Sequence, residues 1–465
     1  MLKNYILTAL RSVKKNWSYT LINILGLAFA LAICITAFFN NKWNWDFNKN
    51  HEHINDIYKI HVTKKMQEGE QEYGICPVPV SEMIEKDIPG IDAVVNFART
   101  YSPVKKDENI FNKRIAYSNS QFKDVFTLEM ISGSDKVLEG KNKILISEDM
   151  AEAFFGREDP LGQTITFFND QSKKFSFVVG GVFKEFPQNS SFYFDAIINL
   201  ENYFDIWGTN RDDWHEWYNA VFLYVKDPGQ ADKIRKMLQN YIPLQNQARE
   251  DWKVSSFRLE PFKTIHNTCR DRWSTTFRYG MHPAQLKSPP VMAIFILIIA
   301  CFNFINTAIA FAGKRLKEIG VRKVFGGNRK QIIIQFLTEN FVISFVSIIV
   351  SLILAKFIIA AYSTMWSYLD LELNFTESPR LILFLAILLI ITTLLAGTYP
   401  AFYISSFKPV KIFRDKLKLD GRNIISKVLL TFQLFLSVIT LFSGVIFTQN
   451  AEFQKSLDLG YNKEN

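Results

Sequence analysis

The sequence predicts an α-helical membrane protein of about five spans, with a large α+β extracytoplasmic domain inserted between spans 1 and 2. Three observations predict it. Five apolar runs, within residues 21–39, 289–312, 331–362, 381–404 and 424–449, are long enough to cross a bilayer. Residues 40–288 contain no such run and alternate short strand and helix patterns. Basic residues gather beside the apolar runs, at 314–330 and 408–422, which marks those loops as cytoplasmic. The composition agrees: 48% hydrophobic residues and 42 phenylalanines in 465 suit a membrane protein with one sizeable extramembrane part. A net charge of +9 is also what a nucleic-acid binder carries. Here the charge sits beside the spans, so it reads as a topology signal and no nucleic-acid partner is expected.

Residues 1–20 form a basic amphipathic lead. Leu2, Ile6, Leu7, Leu10 and Val13 repeat at helical spacing against Lys3, Arg11, Lys14 and Lys15, which predicts a helix along the inner membrane surface. Leu21 to Phe39 is apolar except for Asn23 and Thr36 and reaches about 28 Å as a helix. Ala37-Phe38-Phe39-Asn40 lacks the small residues of a cleavage site, so the run reads as an uncleaved anchor with a cytoplasmic N-terminus. Gly26 and Ala30 give it a small-residue face for another helix.

In the outer domain, Tyr58, Ile60 and Val62 alternate with Lys59, His61 and Thr63, a half-buried strand. Ser147 to Gly156 reads as a short helix with a serine N-cap, acids in its first turn and a closing glycine. Pro160-Leu161-Gly162 turns the chain into a strand at Thr164–Phe168, and Phe175, Phe177 and Val179 alternate before Gly180-Gly181. Gln230 to Tyr241 is a helix stopped before Pro243. These elements predict an α+β domain in two or more lobes.

The second membrane block starts at Pro289-Pro290, residues suited to a helix start. In the span that follows, Asn303, Asn306 and Thr307 share a face and should point into the bundle, for helix–helix hydrogen bonds or for a substrate path. Residues 313–330 form a cytoplasmic loop in which seven basic residues stand against Glu318. Its spacing predicts a short helix ended by Gly326-Gly327. Arg315, Glu318 and Arg322 fall on one face, with Glu318 four residues ahead of Arg322, an order worth roughly 0.2–0.5 kcal/mol. The third span, within 331–362, tolerates Lys356 near its end by snorkelling. An outer loop at 363–380 carries Asp370, Glu372 and Glu377. The fourth span, 381–404, is bent by Gly397 and Pro400. A cytoplasmic loop at 405–423 precedes a fifth span at 424–449 that contains Gln433, and 450–465 begins a second outer region.

No chemistry emerges from the motifs. The chain lacks a phosphate-binding glycine loop ending in Lys-Ser/Thr, so any ATP binds another chain, and no cofactor is expected in this one. The six histidines are scattered. His51-Glu-His53 is the nearest approach to a metal pair, and a solvated loop explains it better; no metal site is expected. Cys34 and Cys301 lie in spans as small packing residues. Cys76 and Cys269 fall in the outer domain, where a disulfide between them is permitted but not required. Trp207, Trp214 and Trp217 read as core aromatics before they read as a contact for substrate or membrane. Asn189-Ser190-Ser191 fits a glycosylation pattern that a bacterial chain would not use.

One pattern is specific. Arg315-Leu-Lys-Glu-Ile-Gly-Val-Arg-Lys-Val-Phe-Gly-Gly, followed by Gln-Phe-Leu-Thr-Glu339, resembles the first cytoplasmic loop of the MacB/FtsX-like permease family. Further stretches resemble the family's outer domain, especially in its double-length Bacteroidetes-type members. They are Trp45-Asp46-Phe47-Asn48 with Ile57-Tyr58-Lys59, residues 119–133, and Ile144 to Asp195 ending in Pro187-Gln-Asn-Ser-Ser-Phe192. Tyr399 to Val410 resembles the end of a four-span unit. The likeness thins between residues 202 and 288. It implies a permease subunit of an ABC transporter in a bacterial inner membrane, with a large periplasmic domain and no enzyme activity of its own. The implied partners are membrane lipid, a cytoplasmic ABC ATPase, and a periplasmic adaptor or a second permease half. The implied coupling residues are Arg315, Lys317, Glu318, Ile319, Gly320, Val321, Arg322, Lys323, Phe325 and Gly326.

The resemblance leaves two functions open: transmission of ATPase motion for export or substrate release, and a regulator or sensor that controls a cell-wall hydrolase or a peptide-stress response. A plain membrane-anchored binding module is the third reading. Residues 420–465 repeat the plan of residues 1–50, a basic stretch, a span and polar chain beyond it. That repeat predicts that the chain is the N-terminal part of a longer permease, and the alternative is a five-span protein that pairs with itself through Ser437 or Gly444.

Overall fold

A computed structural model describes residues 2–66, 69–106, 109–365, 369, 371, 379–407 and 424–457. Asp370, Glu372 and Glu377, the basic run from Lys408 to Arg422, and the tail beyond Leu457 lie outside the described residues. The chain divides into two compact units, residues 43–281 and residues 1–42 with 282–465.

The first unit is built on β1 (Ile57–Met66), β2 (Gly69–Tyr73), β3 (Cys76–Pro77), β4 (Ala93–Lys106), β5 (Asn109–Ser118), β6 (Met130–Gly133), β7 (Lys143–Ser147), β8 (Thr164–Phe168), β9 (Lys174–Phe183), β10 (Ala196–Asn199), β11 (Trp217–Tyr218), β12 (Ala220–Tyr224) and β13 (Val254–Pro261). Eleven strands join one mixed sheet in the order β13-β1-β12-β4-β5-β10-β7-β9-β6, with β2 on β1 and β8 against β4 and β9. The long β4–β5 hairpin carries the pairing from one end to the other, so the strands form a single sheet where two or more lobes were expected.

Side chains alternate between two buried faces. One is aliphatic, with Ile60, Val62, Val94, Ile115, Ile144, Ile198 and Val221. The other is dominated by phenylalanine: Phe97, Phe122, Phe126, Phe192, Phe194 and Phe222 among others, with centroids such as Phe126–Phe192 at 4.8 Å. Trp207, Trp214 and Trp217 pack on the aliphatic core, as expected. The Ser147 N-cap is also as read, its Oγ accepting from the Met150 N–H at 3.2 Å, and Gly156 closes the helix with φ +59°.

Two readings are corrected here, and one left open is settled. From Ile57 to Thr63 the β1 strand is buried on both faces, with Lys59 and Thr63 fully buried and His61 nearly so. The alternation misled because Lys59 has partners inside: its Nζ donates to the Gly74 carbonyl at 2.6 Å and sits 5.2 Å from the Phe277 ring. His51 is not in a solvated loop. It is boxed by Phe126, Phe186, Phe192 and Phe262, and burial pushes its pKa down to about 3, so the ring is neutral. Cys76 lies in the aliphatic core and Cys269 in the phenylalanine core, and both are buried free thiols, so the permitted disulfide is absent.

Among the described residues, the second unit contains a lead helix (Leu2–Lys15) and five helices long and apolar enough to span: Trp17–Trp45, Pro283–Val324, Arg329–Met365, Pro379–Ser405 and Ile424–Ser456. The lead helix and the fourth span pack on the third, and the second span packs on the fourth and fifth. Their shared core contains Leu27, Ala30, Leu31, Leu297, Phe304, Ile343 and Leu388, with Cys34 and Cys301 as packing residues.

The second span does not start at Pro289-Pro290. It starts at Pro283, capped by His282, whose Nδ1 accepts from the Ala284 N–H and whose own N–H donates to Gln285 Oε1. The two prolines sit inside the helix, where they cannot donate to the carbonyls of Gln285 and Leu286. Asn40 Nδ2 donates to Gln285 O at 3.1 Å, and Asn41 Nδ2 to Leu286 O at 3.4 Å, so the first span supplies the lost donors.

Candidate coupling site

The basic stretch is no separate short helix. The second span runs through it without a break and stops at Val324. The stop has the chemistry its glycines announced. Gly326 takes φ +90°, its N–H donates to Lys323 O at 3.2 Å, and the Gly327 N–H donates to Arg322 O at 2.9 Å. That pair of bonds satisfies carbonyls at the helix end in the Schellman pattern. The third span opens at once with a reciprocal cap: Asn328 Oδ1 accepts from the Gln331 N–H at 2.8 Å, and Gln331 Oε1 from the Asn328 N–H at 3.1 Å.

The structure separates the predicted coupling residues into two groups. Ile319 turns inward with Leu316, against Ile332, Phe336, Ala401 and Ile404, and Gly320 is buried beside it. Lys323 also faces inward, and its Nζ donates to the carbonyls of Ser405 and Phe407 at 2.6 and 2.7 Å. A cation at a helix C-terminus is favoured both by the free carbonyls and by the helix dipole. Those three residues therefore lock the helix end to the third and fourth spans. On that side the helix is packed against the chain itself.

The other group is open. Val321, Val324 and Phe325 are 45%, 66% and 86% exposed, a run of apolar surface at the turn. Glu318 and Gly326 are exposed beside it. Glu318 pairs with Arg322 at 2.8 Å, as the spacing predicted. Arg322 then continues inward. Its Nη1 donates to Gln335 Oε1, Gln335 Nε2 to Glu339 Oε1 at 3.4 Å, and Ser12 Oγ of the lead helix to Glu339 Oε2 at 3.4 Å. Arg315 and Lys317 lie on the same helix, but their side chains are outside the described part.

The sequence reading missed Val324, Gln335 and Glu339. The Asn328-x-x-Gln331 cap signal and the helical spacing of Gln335 and Glu339 would have placed the last two on one face. Deeper in the span, Asn306 turns inward with both amide atoms buried and unpartnered. Asn303 is exposed beside Gly26, and its carbonyl accepts from Thr307 Oγ1 at 2.6 Å. The three residues share a face, but it lies at the margin of the packed side, so only Asn306 points fully in. Gln433 on the fifth span is half-buried, with its Oε1 unpartnered.

Five helices long and apolar enough to span, with a large mixed-sheet domain between the first two, define the architecture of a multi-span membrane protein with one inserted domain. The chain belongs to the MacB/FtsX-like permease family: residues 20–241 match the MacB-like periplasmic core domain, and residues 290–409 the FtsX-like permease C-terminal domain. It is an inner-membrane protein, and its mixed-sheet domain lies in the periplasm. An uncharacterized membrane protein of Buchnera aphidicola is 25% identical over 65% of this chain and 71% of its own length. The macrolide export ATP-binding/permease protein MacB of Bdellovibrio bacteriovorus is 24% identical over 58% of this chain. This chain spans 38% of that protein's length. The periplasmic region of MacB from Actinobacillus actinomycetemcomitans is 16% identical, covering 46% of this chain and 93% of its own, with a TM-score of 0.34.

Proposed function

We propose that this chain is the permease subunit of an ABC transporter and that it transmits the motion of a separate ATPase to the periplasmic domain, for export or substrate release. The observation that carries this reading is the exposed apolar turn at Val321, Val324 and Phe325. Its rigid backing is supplied by the Schellman cap, the Glu318–Arg322–Gln335 bonds and the Lys323 lock. Apolar surface this exposed at the end of a helix that has left the bilayer is unfavourable in water and fits burial in a partner. The chain itself transmits and does no covalent chemistry.

Phe325→Asp tests the reading. The variant keeps the cap, the ion pair and the packed side, so it inserts and folds. A cytoplasmic ATPase that co-purifies with the wild-type protein should be lost. Retention of that ATPase at wild-type level would overturn the proposal.

A further inference from the structure

Three guanidinium groups gather round one tyrosine on the periplasmic domain. The Cζ atoms of Arg99 on β4, Arg278 and Arg114 on β5 lie 4.1, 5.2 and 5.4 Å from the ring centroid of Tyr193. Among the described residues, Arg114 alone of the three makes a salt bridge to a carboxylate. Its Nε and Nη2 donate to Asp195 at 2.9 and 2.7 Å, and its backbone N–H donates to the same carboxylate at 2.6 Å. Arg99 spends two N–H groups on Tyr193, on the carbonyl and the hydroxyl, both at 3.1 Å. Arg278 makes one long bond, from Nη1 to Pro187 O at 3.3 Å. Each guanidinium has five N–H donors, so most of those on Arg99 and Arg278 are uncommitted.

We propose that Arg99, Arg278 and Arg114 around Tyr193 form a binding site for a phosphate group. Two half-buried guanidiniums without a carboxylate, set beside a third whose carboxylate is fully engaged, leave local positive charge that a bound anion neutralises. Arg278 is held below the usual guanidinium range by burial first, then by the charge of Arg114, with Arg99 adding to it against the opposing pull of Glu185 and Tyr193. Glu185 offsets them only in part. Burial and the neighbouring Asp149 raise it to about 7, against the opposing pull of Arg114 and Arg278, so at neutral pH it carries only part of its charge.

The geometry favours phosphate over carboxylate. Asp195 shows a carboxylate engaged by one arginine, through its side-chain fork and its backbone N–H. A phosphate offers more oxygens and accepts from two or three guanidiniums at once. The same chemistry is presented by free phosphate and by the headgroup of an anionic phospholipid.

The full chain reconstituted in nanodiscs distinguishes the two sources. In phosphatidylcholine discs, inorganic phosphate is titrated against chloride at constant ionic strength, and the thermal midpoint is read. In a second arm, phosphatidylglycerol replaces part of the lipid, and lipid retained by the protein is counted by native mass spectrometry. A saturable rise with phosphate assigns a soluble phosphate ligand, and selective retention of phosphatidylglycerol assigns a lipid headgroup. In either arm Arg278→Gln should weaken the effect by about tenfold or more, and Arg278→Lys should restore part of it. Arg278→Gln leaves the Arg99–Tyr193 stack in place, so loss of binding without loss of fold is readable. Absence of both effects in the wild type, or an effect that Arg278→Gln and Arg99→Gln leave unchanged, would overturn the site.

Discussion

The side-chain amide of Asn40 donates to the carbonyl of Gln285, the acceptor that Pro289 deprives of its helical donor. Asn40 also accepts from the Tyr362 hydroxyl at 3.1 Å, so one buried amide ties the first span to the second and third. Asn40→Leu should therefore destabilise the bundle by about 1–3 kcal/mol, the usual consequence of an unpaired buried carbonyl. Pro289→Ala restores a backbone N–H to that carbonyl, so the double variant should regain part of the loss. Thermal midpoints of the two single variants and the double variant check this, and a double variant no better than Asn40→Leu would contradict it.

Glu318→Lys should lower the amount of co-purified ATPase while leaving membrane insertion unchanged. The substitution replaces an attractive pair with Arg322 by a repulsive one on the exposed side of the helix end. The pair itself is worth only about 0.3–0.5 kcal/mol, so the fold should hold. Pull-down yield against membrane expression separates the two effects.

Lys323→Met should fray the end of the fourth span. It removes a charged donor from the carbonyls of Ser405 and Phe407, at a cost of about 1–2 kcal/mol. Faster hydrogen exchange over residues 401–407, with little change in the second span, is the expected signature.

Glu185→Gln should stabilise the periplasmic domain at pH 8 and leave it nearly unchanged at pH 5. Burial, then the hydrogen bond and charge of Asp149, raise the folded pKa to about 7 from the usual 4.5. The folded state thus binds a proton that the unfolded state has released, and stability falls as pH rises between those values. Above that window the wild type carries the full penalty and the amide carries none. Thermal midpoints across pH 5–8 for both proteins measure the difference.

Reducing agent should not shift the thermal midpoint. All four cysteines are buried free thiols, and burial raises the thiol pKa of both Cys76 and Cys269. Thiol titration should find four groups after unfolding, and a reductant-dependent transition would count against the packing described.

Much of the fold was legible because the bilayer demands length and apolarity, and because caps are local. Ser147, Gly156, Gly326 and the Glu318–Arg322 pair act within a few residues of themselves, so spacing sufficed to place them. Asn48 and Ser191 belong to two separate motifs noted in the sequence, and they meet: Asn48 Oδ1 accepts from the Ser191 N–H at 2.6 Å and its Nδ2 donates to Ser191 Oγ at 2.8 Å. Nothing in either motif states that contact. Lys59 and His51 were misjudged for the same reason, since their burial depends on partners distant in the chain. Ile319 and Lys323 were grouped with Val321 and Phe325 because helical spacing gives faces but not which face the rest of the chain covers. The proline pair was read as a start because a proline inside a helix is tolerated only when a neighbour supplies the donor, and that neighbour lies some 245 residues away.

The second span is a single helix of 42 residues, about 63 Å of rod at the usual rise per residue. A straight helix is stiff along its axis and bends where its ladder of bonds is interrupted. Here two rungs are missing, both at Pro289-Pro290, close to one end. From Val291 to Val324 the rod has no comparable weak point, so a sideways load applied at Phe325 travels nearly the whole length before it meets compliance. If the helix carries a load as proposed, the proline pair is its elbow, and Asn40 and Asn41 of the first span brace it.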